Sequence, residues 1–446
     1  MKIVIAGAGA IGFHLAELLA KENQDITLID TNEDVLVHVA RHLDVMTVQG
    51  DATSMKIMER AGVKKAALFI SVTTSEKTNL LSAILAKQLG VKNTIARISN
   101  IEHLLDDNKQ RFNQMGVDVL ISPEKLAAVE VEKLLQRASF TESFEFEDGK
   151  ISVVGFTVDT TCPLINKTII QIDQETPDFP FRGIALLRDG QTLIPRADTI
   201  IKKGDHLYIS TQSQYLNQAM KFIGKQLKPI KNIMIIGSTA LALRVAQQIE
   251  RKYNVTIVLE EESKGKEFAQ RLEKSLVIHA APSDIDILKE EGLERMDALI
   301  ALTDNAETNI ITSLMAEELG VYKTIALVEN VNYTHISKNI GIDTIINKKL
   351  ITANNIFRFV RKGRVAAVAS MHGVDAELIE FVIHKKNRLL EHPIKELHLP
   401  TQCIIAGVVR GEDSFVPDGN FVFAIDDKVI VMALPEAIRQ VEQIFK

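Results

Sequence analysis

The strongest constraint on this chain is an internal repeat of one long segment. Residues Lys2–Gly12 read KIVIAGAGAIG and residues Asn232–Ala242 read NIMIIGSTALA, so Gly7 corresponds to Gly237 at a displacement of 230 residues. The same displacement aligns TSEKTNLLSAILAKQLGV with DNAETNIITSLMAEELGV further along the chain. A repeat that keeps one register over such a length fixes the architecture of everything inside it. The chain is therefore expected to contain two copies of one fold.

Within the first copy, apolar runs alternate with helical patterns. The runs IVIA, ITLID, VMTVQ, ALFIS and TIAR are separated by segments such as HLAELLAKE and TNLLSAILAKQLG. This alternation predicts a parallel sheet with crossover helices, and runs that are apolar at consecutive positions are typical of strands covered on both faces. We predict a Rossmann-like, doubly wound α/β domain over residues 1–138 and a second one over residues 228–362.

After each copy the pattern changes to short β-like runs punctuated by Pro and Gly. FRGIALLRDGQTLIPRADTIIKKGDHLYIS is loosely matched by QCIIAGVVRGEDSFVPDGNFVFAIDDKVIVM. In each segment an apolar run ends in Arg (Arg188, Arg410), and a turn, a Pro and an acidic turn follow before a last strand. Hairpins of this kind suit a small α+β module with a closing helix. We predict such modules over residues 139–227 and 363–446.

Composition excludes several classes of protein. The chain is 46% hydrophobic and 25% charged, which is typical of soluble globular proteins, and its net charge of -6 gives no basic surface for nucleic acid. Its two cysteines, Cys162 and Cys403, form neither a disulfide framework nor a metal or redox pair, which fits a reducing cytoplasm. No stretch reaches the roughly 18 uncharged apolar residues of a membrane-spanning helix, so we expect a partner protein to supply any membrane contact.

The sequence GAGAIG at Gly7–Gly12 follows one apolar run and opens a helical pattern. In this context Gly7 permits a tight turn, Gly9 lets the backbone approach a pyrophosphate, and Gly12 lets helix and strand pack closely. Asp30 ends the next apolar run, ITLID. A carboxylate there can accept hydrogen bonds from both hydroxyls of an adenosine ribose and would repel a 2′-phosphate. The pattern therefore favours NAD(H) over NADP(H).

Other interpretations of this motif remain open. The glycines could form only a turn, with Asp30 capping the helix that follows, and ATP, AMP or S-adenosylmethionine could use the same adenosine half of the site. In the second copy Gly237 is kept, but Thr239 and Ala242 replace the other glycines, whereas Glu260 keeps a carboxylate with a longer reach. Side chains in this loop would crowd a pyrophosphate, so an empty structural copy is favoured over a second site that binds through Glu260.

The chain resembles the TrkA family, the peripheral NAD-binding components of Trk-type potassium uptake systems. The resemblance covers nearly the whole chain as two RCK-N and RCK-C pairs in tandem, and it is carried by GAGAIG with Asp30, VQGDAT, ISVTTSEKTNLL and IARISN. It implies a dinucleotide site with Asp51 near the adenine, Thr73 and Thr74 near the ribose or phosphate and Arg97 on the phosphates. The residues that the resemblance assigns to the loop and the ribose are Gly7, Ala8, Gly9, Ala10, Ile11 and Asp30.

A guanidinium at a strand end beside a glycine loop can clamp phosphate oxygens, which favours a phosphate contact for Arg97, and a surface ion pair is the alternative. At the displacement of the repeat, Leu327 replaces Arg97 and Ala281 replaces Asp51. The second copy therefore lacks the predicted phosphate clamp, in addition to two of the three glycines.

The resemblance implies a cytoplasmic regulatory subunit that binds NAD(H), with ATP and ADP as further candidates. It implies a TrkH-like membrane potassium channel or transporter as partner, a homotetrameric ring, and a location at the inner face of the cell membrane through that partner. The sequence shows no convincing acid/base group for nicotinamide chemistry and no metal site, so we expect no enzyme. The alternatives are a soluble NAD-dependent oxidoreductase and, third, a redox-sensing repressor, against which the acidic charge and the lack of a helix-turn-helix pattern argue.

Overall fold

The computed structural model describes residues 1–21, 24–136, 138, 140–147, 149–175, 179–224, 228–330, 344–361, 367–370, 376–384 and 388–445. These residues fall into two compact units. The first unit combines Met1–Glu130, Thr239–Gln248 and Ile346–Phe359. The second combines Val131–Ser238, Ile249–Ile345 and Val360–Lys446.

The first copy of the repeat forms a six-stranded parallel sheet in the order β3-β2-β1-β4-β5-β6. Its strands are β1 (Lys2–Ala6), β2 (Asp25–Asp30), β3 (Met46–Gln49), β4 (Leu68–Ser71), β5 (Asn93–Arg97) and β6 (Val119–Ile121). Its helices are α1 (Ala10–Lys21), α2 (Glu33–His42), α3 (Met55–Arg60), α4 (Glu76–Gln88), α5 (Asp106–Gln114) and α6 (Pro123–Gln136). Ile3, Val4 and Ile5 of the central strand are fully buried, as expected for a strand with both faces covered.

The first small module is an antiparallel sheet in the order β10-β9-β11-β8-β7. Its strands are β7 (Glu142–Phe146), β8 (Ile151–Thr157), β9 (Phe181–Arg188), β10 (Gln191–Leu193) and β11 (His206–Gln212), and its helices are α7 (Ile169–Glu175) and α8 (Leu216–Phe222). The turn between β9 and β10 uses Asp189 and Gly190, both at positive φ, which is the conformation that a tight hairpin requires.

The second copy repeats the parallel topology, with strands in the order β14-β13-β12-β15-β16-β17. Its strands are β12 (Asn232–Ile236), β13 (Asn254–Leu259), β14 (Leu276–His279), β15 (Ala298–Ala301), β16 (Lys323–Leu327) and β17 (Thr344–Ile346). The helices of this stretch of chain are α9 (Ala240–Ile249), α10 (Glu262–Arg271), α11 (Ile285–Glu290), α12 (Ala306–Glu318) and α13 (Lys348–Arg361).

The second small module repeats the antiparallel topology, in the order β18-β19-β22-β20-β21. It consists of β18 (Ala367–Ser370), β19 (Glu377–Val382), β20 (Cys403–Arg410), β21 (Asp413–Phe415), β22 (Lys428–Ala433) and α14 (Pro435–Phe445). The predicted fold class, two Rossmann-like domains each followed by a small α+β module, is confirmed. Among the described helices, none is both long and apolar enough to cross a membrane.

The two small modules share one hydrophobic core inside the second unit. Buried side chains of the first module, including Ile151 and Ile184, pack in one cluster with Leu378, Ile430 and other residues of the second. Gly407 lies at this contact, where an added Cβ would come within 3.1 Å of the Ile151 side chain. Sequence analysis predicted two modules but not their common core, because an apolar strand face does not reveal which surface it will bury against.

Each small module is also held by an ion pair between a partly exposed arginine and a buried aspartate. Arg410 donates from Nε and Nη2 to the two carboxylate oxygens of Asp427, at 2.7 and 2.8 Å, and Asp427 also accepts from the Ala424 N–H. Arg188 and Asp205 repeat this arrangement in the first module. Asp427 is fully buried, so its charge depends on these donors for compensation.

We predict that Asp427→Asn lowers the stability of the second module by about 1.5–3 kcal/mol, because it removes a buried carboxylate that accepts charge-assisted hydrogen bonds from Arg410. The measurement is the unfolding midpoint of the full chain in urea, followed by circular dichroism. Asp413→Asn, at an exposed position of β21, is the matched control and should leave the midpoint unchanged. Equal midpoints for Asp427→Asn and Asp413→Asn would contradict a stabilising role for the pair.

A second charged cluster lies between the modules. Glu380 is 2% exposed, and its protonated carboxyl donates a hydrogen bond to Glu147 of the first module, which also pairs with Lys428. Burial, and then the neighbouring Glu147 carboxylate, raise the pKa of Glu380 from 4.5 to about 8. The folded protein therefore keeps the Glu380 proton at neutral pH, where an unfolded chain would have lost it.

Because the folded-state pKa is raised, stability falls as pH rises from the ordinary pKa of a glutamate towards 8 and changes little above it. We predict that Glu380→Gln, which keeps a neutral side chain at every pH, raises the thermal midpoint at pH 8 and leaves it near that of the wild type at about pH 4.5. Calorimetry across this range measures the difference. Glu412→Gln, whose side chain is almost fully exposed, is the control. A gain from Glu380→Gln that is independent of pH would contradict the raised pKa.

Candidate nucleotide-binding site

The candidate site lies at the carboxyl ends of β1, β4 and β5, where the strand order reverses direction. Ala6 pairs with Ser71 and Ser71 pairs with Ala96, so the segments that follow these three strands emerge at one edge of the sheet. In doubly wound sheets, ligands bind in the crevice outside the carboxyl ends of the strands at such a switch point. Sequence analysis chose its candidate residues largely from the segments that meet at this edge.

The glycine loop has a different constraint at each glycine. An added Cβ at Gly7, which has a φ of 100°, would lie 2.8 Å from the Thr73 backbone nitrogen, and one at Gly12 would lie 1.9 Å from the Gly7 carbonyl oxygen. A Cβ at Gly9 would meet nothing within 4 Å. Gly7 and Gly12 are therefore required by the fold itself. Gly9 is not required by any protein contact and leaves open space at an exposed point of the loop.

The rest of the loop leads directly into helix α1. Ala8 and Ile11 are buried, whereas Ala10, the first residue of α1, is exposed beside Gly9. The Phe13 N–H donates to the Gly9 carbonyl, which closes the first helical turn. The N–H groups of a first turn have no partner within the helix and carry the positive end of its dipole. This end of α1 is therefore suited to an anionic group.

Asp30 connects the end of β2 to this loop. Its Oδ2 accepts from the Ala8 N–H at 2.7 Å and its Oδ1 accepts from the Asn32 N–H at 2.9 Å. Asn32 rather than Asp30 caps helix α2, because its side chain accepts from the N–H groups of Asp34 and Val35. Each oxygen of Asp30 keeps a further lone pair with which it could accept a ribose hydroxyl. The carboxylate is thus fixed in position beside the glycine loop.

Asn79 joins the segment after β4 to the end of β5. It was not among the site residues predicted from the sequence. Its side-chain oxygen accepts from the Thr73 N–H and hydroxyl, at 2.9 and 2.7 Å, while its amide nitrogen donates to the carbonyls of Thr73 and Arg97. Asn79 is almost fully buried, so these hydrogen bonds satisfy its whole amide group. The signal that could have identified it is its identity with Asn309 in the second copy.

The three remaining predicted residues of the first copy lie at the same edge. Arg97 ends β5 and is half-buried, and within the described residues no ion pair or hydrogen bond of its guanidinium is found. Thr74 is exposed. Asp51 is exposed, and hydrogen bonds from the Thr53 N–H and hydroxyl to its Oδ1 lower the pKa of the carboxyl. Asp51 is therefore ionised at neutral pH and orders the turn after β3.

Glu76 is a second residue of this edge that sequence analysis missed. Its Oε2 accepts from the N–H groups of Ser99 and Asn100, at 2.6 and 2.8 Å, and its Oε1 lies 2.7 Å from Nδ1 of His103. These contacts tie the start of α4 to the segment that follows β5. Glu76 has no counterpart in the second copy, where Ala306 stands at this position. In the sequence, an acidic residue at the start of a helix indicates only the ordinary stabilisation of a helix N-terminus, so the sequence did not predict these contacts of Glu76.

The second copy keeps the scaffold and lacks several of the groups that are candidates for ligand contact in the first copy. Asn309 binds Thr303 and the Leu327 carbonyl as Asn79 binds Thr73 and the Arg97 carbonyl, and a Cβ at Gly237 would lie 2.6 Å from the Leu302 carbonyl oxygen. Leu327, in place of Arg97, is buried in the apolar interior.

Glu260 does not reproduce the role of Asp30 in this structure. The Glu260 side chain is exposed, and within the described residues it accepts no hydrogen bond from the Ser238 N–H, which corresponds to the Ala8 N–H. Its backbone carbonyl accepts from the His279 ring instead. The longer Glu260 side chain leaves the second loop without the link that fixes the first one.

Comparisons with known families agree with this organisation. The model of the TrkA-N domain matches residues 3–123 and 233–348, and the model of the TrkA-C domain matches residues 153–224 and 378–446. The chain is 30% identical over its full length, and over 100% of the relative, to the Trk system potassium uptake protein TrkA homolog 1 of Methanosarcina mazei. It is 29% identical to the Trk system potassium uptake protein TrkA of Haemophilus influenzae, over 100% of this chain and 99% of the relative.

Solved structures show the same fold at lower sequence identity. The GsuK RCK domain is similar over 100% of this chain and 94% of its own, with a TM-score of 0.60 and 17% identity. The GsuK channel bound to NAD covers 100% of this chain and 78% of its own, with a TM-score of 0.61 and 17% identity. The GsuK structure bound to ADP covers 81% and 69%, with a TM-score of 0.52 and 13% identity.

We predict that Gly9→Ala leaves the thermal midpoint unchanged but weakens the binding of NADH and ADP by about tenfold or more, because its methyl group fills the space that a pyrophosphate would need. Isothermal calorimetry measures the affinity. Thr239→Ser, at the equivalent position of the second copy, is the matched control and should leave the affinity unchanged. An unchanged affinity for Gly9→Ala would remove this loop from the ligand site.

Proposed function

This chain belongs to the TrkA family, and from that membership we propose that it is the nucleotide-binding regulatory subunit of a potassium uptake system. The proposed site is the loop Gly7–Gly12 with Asp30 and Arg97 in the first copy. The observation that carries the proposal is that a fixed carboxylate and a guanidinium, for which the described residues provide no ion pair or hydrogen bond, lie at the edge of the sheet where the glycine loop leaves open space. This arrangement suits a ribose on one side and phosphates on the other.

We propose NAD(H) as the ligand, with ADP and ATP as the other candidates because they share its adenosine diphosphate half. The same fold carries NAD in one GsuK structure and ADP in another, which is consistent with either choice. Asp30 favours a free 2′-hydroxyl over a 2′-phosphate. In the same proposal, Thr73, Thr74 and Asp51 contact the rest of the nucleotide, and the second copy, including Glu260, stays empty.

We propose that the protein acts by conformational bias rather than by catalysis. A nucleotide that binds two arrangements of the chain unequally shifts their populations and can change the state of an attached membrane protein. The chemistry near the site supports this choice, since Glu76 is occupied by backbone N–H groups and His103. Elsewhere in the chain, in the second small module, burial raises the pKa of the Cys403 thiol to about 11, so that group is not a nucleophile at neutral pH.

The proposed partner is a TrkH-like potassium channel or transporter in the cell membrane, and the proposed assembly is a homotetrameric ring at its cytoplasmic face. The domain bounds proposed for this assembly are 1–138, 139–227, 228–362 and 363–446. The names of the relatives support the potassium uptake system, and their TrkA-type sequences extend over the whole chain. Oligomeric mass by light scattering tests the ring separately from the partner.

We predict that potassium flux through the membrane partner, reconstituted in liposomes, changes when the full chain is added and changes again when NADH or ADP is added. Gly9→Ala should keep the effect of the chain and lose the effect of the nucleotide, because its fold is intact and its site is blocked. Thr239→Ser should retain both effects. Failure of the chain to bind the partner, or turnover of NADH with a carbonyl substrate, would contradict the proposal and favour a soluble oxidoreductase.

A further inference from the structure

Two histidines lie one turn apart on an exposed face of helix α2. His38 and His42 are separated by four residues, which makes their side chains neighbours on a helix. Both are exposed, and their ring centroids are 4.3 Å apart with an interplanar angle of 40°. The nucleotide site does not use either residue. Imidazoles at this spacing on one helix face are the arrangement with which helices bind zinc.

The structure also restrains the His42 ring in an orientation that suits metal binding. The His42 ring is hydrogen-bonded through Nδ1 to the His38 carbonyl oxygen at 2.8 Å, so Nδ1 is the protonated nitrogen and Nε2 of the neutral ring carries the free lone pair. A histidine that ligates a metal commonly donates its other ring N–H to such an acceptor, which fixes its tautomer and orientation. The Phe13 ring packs against His38 and His42, at centroid distances of 5.4 and 6.3 Å.

We propose that His38 and His42 form a two-imidazole chelate for a divalent transition-metal ion of the Zn²⁺, Ni²⁺ or Cu²⁺ class. Within the described residues, no group of three or more His, Cys, Asp and Glu side chains could hold a metal ion. The proposed chelate would therefore use two imidazoles alone, at the Zn–N distance of about 2.0–2.1 Å that is usual for zinc, with water completing the coordination. Asp34 lies one further turn back on α2 and contributes negative charge to the approach of the cation.

The ligand chemistry separates this site from one for alkali or alkaline-earth ions. Imidazole nitrogen suits Zn²⁺, Ni²⁺ and Cu²⁺, whereas Mg²⁺ and Ca²⁺ require several oxygen ligands that this surface does not provide. A bound ion would link two successive turns of α2. The chelate would therefore stiffen α2, the helix that begins just after Asp30.

The test is calorimetric titration of Zn²⁺ into the full chain, prepared without a histidine tag and stripped of metal. We expect one Zn²⁺ per chain, and His38→Ala or His42→Ala should each weaken binding by about tenfold or more, because a single imidazole loses the advantage of the chelate. His392→Ala removes one exposed histidine that lies near Glu396 and should leave the affinity unchanged. Mg²⁺ and Ca²⁺ should give no binding at this site.

A second test identifies the nitrogen ligands directly and does not depend on the measured affinity. With one equivalent of Cu²⁺, electron paramagnetic resonance should report two imidazole nitrogens in the wild type and one or none in His42→Ala. No Zn²⁺ binding, or equal binding by the wild type and both histidine variants, would overturn the chelate. Circular dichroism checks that the variants remain folded, which the exposure of both positions leads us to expect. The nucleotide is not involved in this test, so a failure to bind Zn²⁺ leaves the proposed function untouched. A failure of the nucleotide experiments likewise leaves the proposed chelate untouched.

Discussion

The contact between the glycine turn and the end of β4 is the constraint on which the candidate site depends. Gly7 approaches the Thr73 backbone so closely that no side chain fits between them, and Asn79 then ties Thr73 to the end of β5. Three separate segments are thereby held at one edge of the sheet before any ligand arrives. A site assembled in this way loses little conformational entropy when it binds a ligand.

Comparison of the two copies distinguishes the residues that the fold requires from the residues that a ligand would require. Both copies keep the close-packed glycine and the asparagine network, which hold the ends of neighbouring strands together. Only the first copy combines an open glycine loop, a carboxylate bound to that loop and an arginine at the end of the fifth strand. In the second copy, burial of Leu327 fills the position of Arg97 with an apolar side chain. We therefore regard the second copy as structural support.

The parts of the molecule that follow from local sequence patterns could be predicted from the sequence alone. Consecutive apolar runs with intervening helices determine a parallel sheet, and the glycine fingerprint with Asp30 locates the switch point. The sequence was insufficient for Asn79 and Glu76, because a polar residue in the first turns of a helix has the same pattern whether it caps the helix or bridges two strands. The common core of the small modules was not predictable either, since it depends on which apolar faces meet after folding. The link from Asp30 to the Ala8 N–H likewise depends on how the loop and the end of β2 meet after folding.

The central claim is that the chain has one working nucleotide site, in its first copy. The most direct measurement is the stoichiometry of NADH and ADP binding to the full chain by isothermal calorimetry at known active concentration. The account predicts one molecule of either nucleotide per chain, with ADP displacing NADH because both use the same loop. Two molecules per chain would show that the second loop binds despite Thr239, Ala242 and Leu327, and no binding would reduce the first copy to a structural Rossmann domain.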